Sequence, residues 1–518
     1  MKRNQSTVTS RRHFIGGLAA VGTAFAIPAR MLAEEVSGLS QPAAPLTLPQ
    51  NRRRQIFARH VVCRRAISLA ALLSLVASGA TAGDAGSSPT NEPNRPGVPD
   101  FISARQEIPA DLFNQKREGT YWIGFPIIGY DPDTRLNIGG TIQVFENGPK
   151  DSPFFRYNAY ERKTGIAAAY ATGGAAQVRL SFDALNLNGS PWHIHGNARY
   201  VQNDFDNYFG VGPASLAPLS FPGSDQTFNR YRDFLDAINQ IRDGKTYRFY
   251  DNYKQQQIFA DFSIERDTLG GVLRPMAGVQ VAYYDIGDYS GQTHDGAVVQ
   301  TTHLRSDYNA GRITGFNGGW DNSIRLGLTY DTRDFAPNPS NGLFLQAMGR
   351  TALKAIGSSE DYAQFKLEAR GFYSPFPGTR LVLAGRLGYL AQTSNTPFYI
   401  LSQAPEVDTT STWLGGFDSL RGFQNNRFVG NNVAAASGAV RWFFAKSTLW
   451  NQNLAYGATA FVDSGSVFNS VGDTSFKNWK VSGGIGFLLS WNVSTVVNFD
   501  LGASGEGELF YMGLGFPY

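Results

Sequence analysis

The sequence predicts an all-β protein, an antiparallel transmembrane β-barrel of sixteen strands. Three observations predict this fold class. Segments that alternate apolar and polar residues recur along the chain, with turn residues between them. Charged side chains occupy one face of strand after strand, and because a charge facing lipid is costly, that face must line a closed interior. The longest connections all fall on one side of the predicted barrel, as is typical of this class.

The composition argues against several other protein classes. Of 518 residues, 13% are aromatic, 17% are charged and 57 are glycine, which suits strands and turns better than helices. Beyond residue 82, no run of 18 apolar residues predicts a membrane-spanning helix. A soluble β-sandwich remains the alternative, because it would also explain the alternation, although not the charges repeated on one face.

The charge is distributed unevenly along the chain. Residues 1–82 carry 11 Lys/Arg and 2 Asp/Glu, a net charge of +9, whereas the remainder carries −5. The basic balance therefore belongs to the first 82 residues and predicts no nucleic-acid partner. The single cysteine, Cys63, also lies there, so no disulfide or thiolate site is predicted after residue 82.

Residues 1–82 are predicted to be a leader with two export-like segments in tandem. The first, residues 9–27, contains Arg11-Arg12 before an apolar stretch and resembles a twin-arginine signal. The second, residues 64–82, has basic, apolar and small residues in that order, which predicts cleavage near Ala82-Gly83.

The second signal is the preferred one, because an outer-membrane barrel crosses the inner membrane unfolded whereas the twin-arginine route carries folded cargo. A translation start near Val61 or Val62 is therefore a hypothesis. The expected location is the outer membrane of a Gram-negative cell, after cleavage of the signal peptide.

Residues 83–118 are rich in Gly, Ser, Pro and Asn without a sustained period, and predict a periplasmic linker. Residues 119–518 are predicted to form the barrel. Its sixteen strands are predicted near residues 120–130, 135–146, 155–171, 175–186, 191–202, 257–266, 272–286, 323–334, 342–353, 361–374, 380–392, 432–444, 455–463, 480–491, 495–503 and 509–518.

The even strand number places both ends of the barrel segment on the periplasmic side. The long connections 203–256, 287–322 and 393–431 then lie outside the cell, and the last of them is the sixth outer loop. A helix over residues 225–243, amphipathic in pattern, is predicted to cap the mouth of the barrel.

The last predicted strand has an apolar face that ends in an aromatic residue, Tyr518. This pattern resembles the signal that the barrel-assembly machinery reads, in which Phe is the usual last residue. A half-buried edge strand is the alternative interpretation. Outer-membrane lipid and the barrel-assembly machinery are therefore the expected partners.

Three motifs occur in order along the predicted barrel. They are Arg421-Gly422-Phe423 in the sixth outer loop, Phe461-Val462-Asp463-Ser464-Gly465 on strand 13, and Asp331-Thr332-Arg333-Asp334 with Gly342 after strand 8. They resemble the loop signature, the wall motif and the turn of the BamA/TamA and two-partner-secretion superfamily, also called the bacterial surface antigen family. The resemblance covers residues 119–518.

The resemblance implies that the sixth outer loop folds into the lumen and that Arg421 locks against Asp463. A carboxylate in a closed interior needs a partner, and the guanidinium fork can supply one with a fixed direction. A solvated loop arginine is the alternative. The family often adds a strand-12 Glu, where this chain has Ala439 beside Arg441, so the contact is expected to be weaker or rearranged.

The seam between the first and last strands contains residues that weaken pairing. They are Gly124, Pro126, Gly513 and Gly515, with Tyr518 at the end of the last strand. Such a seam could open sideways, as the lateral gate proposed for this superfamily would. Edge imperfection without a gating role is equally compatible with the sequence.

Family members usually carry periplasmic POTRA domains, and residues 83–118 are too short for one. The resemblance therefore implies a barrel-only member, with client capture assigned to a separate periplasmic subunit. The expected function is insertion or translocation of proteins, or of lipids, in the outer membrane. The alternative is a passive pore or a surface-exposed structural protein.

No enzymatic activity, cofactor or metal is predicted. His193 and His195 share one face of strand 5, but two histidines without a third ligand are usually polar residues of a lumen. The chain has no G-x-S-x-G motif, so no lipase of the patatin type is predicted.

Overall fold

The computed structural model describes residues 97–131, 135–376, 380–408 and 410–518. The predicted leader, its cleavage site and residues 83–96 of the predicted linker lie outside the described residues. No helix of the described part is long and apolar enough to cross a bilayer.

The predicted sixteen-stranded antiparallel barrel is confirmed. The strands pair in sequence order, each with its neighbours along the chain. Their bounds are β1 Thr120–Asp131, β2 Arg135–Glu146, β3 Arg162–Ala171, β4 Ala175–Ala184, β5 Trp192–Asn207, β6 Asn252–Arg266, β7 Leu273–Gly287, β8 Gly318–Asp331, β9 Gly342–Ala352, β10 Tyr362–Tyr373, β11 Leu381–Gln392, β12 Asn432–Leu449, β13 Gln452–Phe468, β14 Lys480–Trp491, β15 Thr495–Ser504 and β16 Gly507–Leu514. The α-helices of the described residues are α1 Ala110–Phe113, α2 Tyr231–Ile238, α3 His303–Asn309 and α4 Phe398–Leu401.

Two predicted strands are longer than the structure allows. Residues 155–161 are not part of β3, because Pro153–Arg156 forms a 3-10 turn that redirects the chain before Arg162. The last strand ends at Leu514 and not at Tyr518, because the chain turns inward at Gly515.

The alternation of the strands separates a lipid-facing surface from a charged interior. Apolar side chains such as Trp122, Leu326 and Ile485 are exposed on the outer face. On the inner face, Glu368 Oε1 lies 2.6 Å from Arg386 Nε, and its Oε2 lies 3.2 Å from Lys366 Nζ. Charges that would be costly in isolation therefore compensate one another inside the barrel.

The connections define two ends of the barrel. The loop end carries residues 208–251, 288–317 and 393–431, which contain α2, α3 and α4. The helix predicted over residues 225–243 is shorter than predicted and spans only Tyr231–Ile238. The helix ends there because a short hairpin follows directly, in which residues 241–242 pair with residues 245–246. The two turn residues of this hairpin, Asp243 and Gly244, have left-handed backbone conformations.

The turn end, which carries the other connections, is crossed by residues 98–118, here called the N-terminal segment. Ile108 and Leu112 pack with Ala159, Phe335 and Val493 from three separate connections. Polar contacts join the segment to three further connections, through Asn186, Gly270 and Arg380, and to the start of β13, through Asn453. This part of the predicted linker is therefore packed against the barrel.

The first and last strands close the barrel incompletely. Every other neighbouring pair of barrel strands forms an antiparallel ladder, whereas β1 and β16 stand at the two ends of the strand order. Among the described residues, no ladder joins them. The result is a nearly closed barrel with an unsealed seam.

Candidate functional site: the sixth loop inside the barrel

Residues 393–431, here called the sixth loop, fold into the lumen and form a compact apolar core there. Trp413, Leu414, Leu420 and Phe428 are fully buried and pack with one another. A short hairpin, Gln403–Pro405 with Thr410–Thr412, precedes this core. The loop therefore has a defined structure that can position its polar residues against the wall.

Arg421 binds the wall of β13 through its guanidinium fork. Its Nε donates to Asp463 Oδ2 at 2.8 Å and its Nη2 donates to Asp463 Oδ1 at 3.0 Å. The guanidinium carbon lies 3.4 Å from the centre of the Phe461 ring, a cation–π contact. Burial alone would lower the pKa of Arg421, but the hydrogen bond and charge of Asp463 outweigh it and raise that pKa.

A second carboxylate, on β15, also binds the guanidinium of Arg421. Arg421 Nη1 lies 2.9 Å from Asp500 Oδ2, so the arginine joins two strands that are not neighbours. Ala439 on β12 supplies no partner and packs instead in an apolar cluster with Phe461. The second carboxylate partner of Arg421 is therefore Asp500 on β15, and not a residue of β12.

Asp500 was not predicted as a site residue, although the sequence contains a signal for it. Asp500 shares the inner face of β15 with Asn498, opposite the apolar Phe499 and Leu501. A carboxylate on an inner face would be costly without a compensating charge, so its presence predicts a cationic partner. The two carboxylates that bind Arg421 come from different strands, so their convergence depends on the closure of the barrel.

The residues after Arg421 bind the strands beside the seam. Gly422 N donates to Tyr511 Oη at 3.0 Å, and Tyr511 Oη donates to Phe423 O at 3.1 Å. Ser504 Oγ donates to Gly422 O at 2.6 Å. Gly422 has a φ of 99°, and a Cβ there would lie 2.9 Å from the backbone of Ala503, so only glycine fits.

Glycines of the wall make room for side chains of the sixth loop. A Cβ at Gly465 would overlap Leu414, and a Cβ at Gly513 would overlap the ring of Phe417. The wall is therefore shaped to receive the loop. Gly513, identified in the sequence as a seam residue that weakens pairing, is also required by the position of Phe417.

A second arginine fastens the sixth loop at the loop end. Arg427 Nη2 lies 2.7 Å from Glu506 Oε1 in the connection between β15 and β16. The same guanidinium donates to the carbonyl oxygens of Ser215 at 2.6 Å and Ala217 at 3.0 Å. Arg427 was not predicted as a site residue, since a loop arginine outside a family motif gives no indication of its partners.

The turn motif forms a separate polar unit at the turn end. Arg333 binds Asp331 with both Nε and Nη2 at 2.8 Å, and Arg274 Nη2 adds a contact to Asp331 at 2.9 Å. Asp334 accepts a hydrogen bond from Ser340 N at 2.9 Å. Gly342 begins β9 where a Cβ would overlap the carbonyl oxygen of Thr332.

The residues assigned to the seam lie on β1, on β16 and just after β16. Pro126 pairs with Gly140 of β2, and Gly124 pairs with Ile142, so both belong to a regular ladder. Gly515 takes a φ of 74° just after β16, and this bends the chain into the lumen. Tyr518 is consequently buried, and it lies beyond the end of the last strand that was predicted to contain it.

The N-terminal segment inserts two cations into the turn end. Arg105 Nη2 lies 2.5 Å from Asp267 Oδ1, which links the segment to the connection between β6 and β7. Lys116 Nζ donates to Phe155 O at 2.8 Å and to Asn158 O at 2.7 Å. Burial lowers the pKa of Lys116 to about 7.

The two histidines of β5 have carboxylate partners in this region. His193 Nε2 lies 2.9 Å from Asp267 Oδ2, and His195 Nδ1 lies 2.9 Å from Asp183 Oδ1. His195 Nε2 also lies 3.2 Å from Glu265 Oε2 on the neighbouring β6. In the described part of the chain, no group of three or more His, Cys, Asp or Glu residues is arranged to hold a metal ion.

Comparison with known families gives two matches to the sequence. The model of the Omp85 superfamily domain matches residues 130–501. A domain of unknown function (DUF5982) matches residues 98–161, which include the N-terminal segment and the first two strands. No curated protein matches the chain.

Among solved structures, BamA from Haemophilus ducreyi lacking POTRA domains 1–3 is similar, with 15% identity and a TM-score of 0.44 over 77% of this chain and 70% of that chain. CdiB from Escherichia coli has 10% identity and a TM-score of 0.45 over 77% of this chain and 62% of that chain. CdiB from Acinetobacter baumannii has 11% identity and a TM-score of 0.39 over 77% and 59%. The matched part of this chain thus spans less than two thirds of either CdiB chain.

Proposed function

This chain belongs to the Omp85 superfamily of outer-membrane barrels, whose members are non-enzymatic transporters and insertases, and on that premise we propose that it inserts polypeptides into the outer membrane at its seam. The proposal includes no covalent chemistry and no cofactor. Lipid is the second class of client that the same route would accept. The turn end is the periplasmic end in this arrangement.

The unsealed seam is the observation that carries the proposal. A client strand can pair only with a strand whose backbone donors and acceptors are available, and β1 and β16 are the strands that lack a ladder on one side. Passage through the lumen is less well supported, because the sixth loop and the N-terminal segment fill it from both ends.

Partners follow from the same reasoning. The barrel-assembly machinery would place this barrel in the membrane, and a separate periplasmic subunit would deliver the client. A pull-down from detergent-solubilised outer membranes tests the second expectation. A periplasmic protein retained in stable proportion supports it, and the recovery of the barrel alone contradicts it.

A disulfide across the seam tests the proposed function directly. The described residues contain no cysteine, so one cysteine placed within residues 122–128 and one within residues 509–514 can be crosslinked selectively. Proteoliposomes containing the oxidised protein are then supplied with an unfolded eight-stranded barrel, and its folding is followed by heat-modifiable mobility. We expect oxidation to abolish the assisted folding and reduction to restore it.

A matched control places the same disulfide in a regular ladder. Ile142 and Ile166 face each other across β2 and β3, so Ile142→Cys with Ile166→Cys crosslinks the wall without closing the seam. This variant should retain the assisted folding when oxidised. Full activity of the seam-locked protein would show that clients do not enter there.

The alternative function is a passive pore or a structural protein of the outer membrane. Channel recordings separate it from the proposal, because a pore should show a stable open conductance that is insensitive to Arg421→Ala. An inserting barrel whose lumen is filled should show little conductance until the sixth loop is released.

A further inference from the structure

Two neighbouring cavities lie at the loop end of the barrel, and Phe205 of β5 lines both of them. The first has a volume of about 260 Å³ and lies between the wall and the connection 208–251. The second has a volume of about 270 Å³ and lies between β2–β5 and the sixth loop. The shared residue places the two cavities side by side at the mouth of the barrel, where β-barrels often bind ligands.

The first cavity, here called the arginine cavity, combines two guanidinium groups with apolar side chains. Arg135 at the start of β2 and Arg248 line it, together with Leu235 and Ile238 of α2. Arg248 Nη1 lies 2.6 Å from Asp295 Oδ2, whereas Arg135 is exposed and forms no ion pair within the described part of the chain. Guanidinium groups beside an apolar surface suit an anionic group that is attached to a less polar body.

The backbone of the arginine cavity is strained at Phe249. This residue has a φ of 67°, in the left-handed region that bulky residues rarely adopt. Its ring stacks on Tyr289 with the ring centres 4.2 Å apart, and its centre lies 5.6 Å from that of Phe205. The aromatic packing therefore maintains a costly conformation beside the cavity, and such conformations are concentrated at ligand sites.

The second cavity, here called the amide cavity, is lined by side-chain amides and by small residues of the wall. The amides come from β2, β4, β5 and the sixth loop, and they belong to Asn137, Gln177, Gln202, Asn203, Asn207 and Asn425. Asn137 Oδ1 is buried and has no hydrogen-bond partner among the described residues. Amides supply donors and acceptors together, which matches the hydroxyl groups of a saccharide.

We propose that the two cavities form one binding site for a phosphorylated saccharide. The amide cavity binds the sugar hydroxyl groups, and Arg135 and Arg248 bind the phosphate. Phosphate suits this site better than carboxylate, because its three oxygens can serve two guanidinium groups. With the turn end in the periplasm, the site faces the outside of the cell. The headgroup of an outer-leaflet glycolipid and a soluble sugar phosphate share this chemistry.

A titration of the purified barrel in phosphatidylcholine nanodiscs tests the site. The probe is the deacylated headgroup of lipid A, a glucosamine disaccharide with two phosphates, and binding is measured by calorimetry. This probe should bind at least about tenfold more tightly than the same disaccharide without phosphates, and more tightly than inorganic phosphate. No binding of the probe, or equal binding of either comparison compound, would overturn the proposal.

Nanodiscs that also contain lipid A distinguish the two sources of the ligand. If the glycolipid of the membrane occupies the site, these nanodiscs should no longer bind the soluble probe. If they bind it as before, a soluble sugar phosphate is the ligand. The assay requires no insertion activity, so its result is independent of the seam experiment.

Three variants locate the binding in the two cavities. Arg135→Ala should weaken binding of the probe at least about tenfold, and Gln177→Ala should weaken it to a smaller extent. Arg242→Ala is the matched control, because Arg242 is an exposed arginine of the connection 208–251 that lines neither cavity. All three side chains are exposed, so the unfolding temperatures should not change. Equal effects of Arg135→Ala and Arg242→Ala would indicate unspecific attraction of charge and would contradict the site.

Discussion

Arg421 Nη1 lies 2.9 Å from Asp500 Oδ2, while the other nitrogens of the same guanidinium hold Asp463. One loop side chain therefore joins β13 to β15 across the intervening β14. This arrangement ties the position of the sixth loop to the part of the wall next to the seam. Because the two carboxylates bind different nitrogens of Arg421, the contribution of each to stability can be measured by substituting it separately.

Removal of the loop cation should destabilise the barrel. Arg421→Ala removes the cation that binds two buried carboxylates, and such losses cost about 3–5 kcal/mol in the free energy of unfolding. Urea unfolding in detergent measures the change. Arg230→Ala is the control, because the pair of Arg230 with Glu508 is largely exposed and contributes at most about 1 kcal/mol. Equal effects of the two variants would contradict a buried lock.

The two carboxylates should contribute unequally. Asp463 accepts two side-chain hydrogen bonds from the arginine and Asp500 accepts one, so Asp463→Asn should lower the unfolding free energy more than Asp500→Asn. Double-mutant cycles with Arg421→Ala isolate each coupling. A coupling energy of zero for Asp500 would mean that the contact is incidental.

A larger side chain on the wall should expel the sixth loop. Gly465→Leu places atoms where Leu414 lies, whereas Gly438→Leu on the neighbouring strand meets nothing within 4 Å. We expect Gly465→Leu alone to make the loop sensitive to added protease. If both variants keep the loop protected, the wall glycines do not determine its position.

The docking of the N-terminal segment should strengthen as the pH rises. Burial lowers the pKa of Lys116 to about 7 in the folded protein, below its ordinary value of 10.5. The undocked state then binds more protons between these two values, so docking gains up to about 1.4 kcal/mol per pH unit from pH 7 towards pH 10.5. Hydrogen exchange of residues 98–118 at pH 7 and pH 9 measures this, and Lys116→Met should remove the dependence.

Loss of Arg105 should detach the N-terminal segment. Arg105→Ala removes the ion pair with Asp267 and the hydrogen bond of 2.9 Å to Asn158. We expect cleavage of residues 98–118 by added protease. Arg156→Ala is the matched control, because its contact with Glu107 is 3.8 Å long and exposed. A segment that stays protected in Arg105→Ala would show that apolar packing alone holds it.

The alternation along the strands was sufficient to predict the fold from the sequence. Placement of Arg421 near Asp463 followed from a motif, since a motif links residues that local periodicity cannot. The pairing of Asp500 with Arg421 and the burial of Tyr518 were not predictable, because the residues involved converge only after the barrel has closed. The N-terminal segment was missed for a related reason. Its apolar residues are few and irregular, and their packing depends on connections far away in the sequence.

The N-terminal segment also imposes an order on folding. It touches connections that run from Ala159 to Val493, so its complete binding surface does not exist until the last hairpins have formed. Burial of Ile108 and Leu112 is therefore complete only after these hairpins have formed. A barrel with a missing or misplaced strand would leave Ile108 and Leu112 exposed, so protection of the segment reports that every strand is in place.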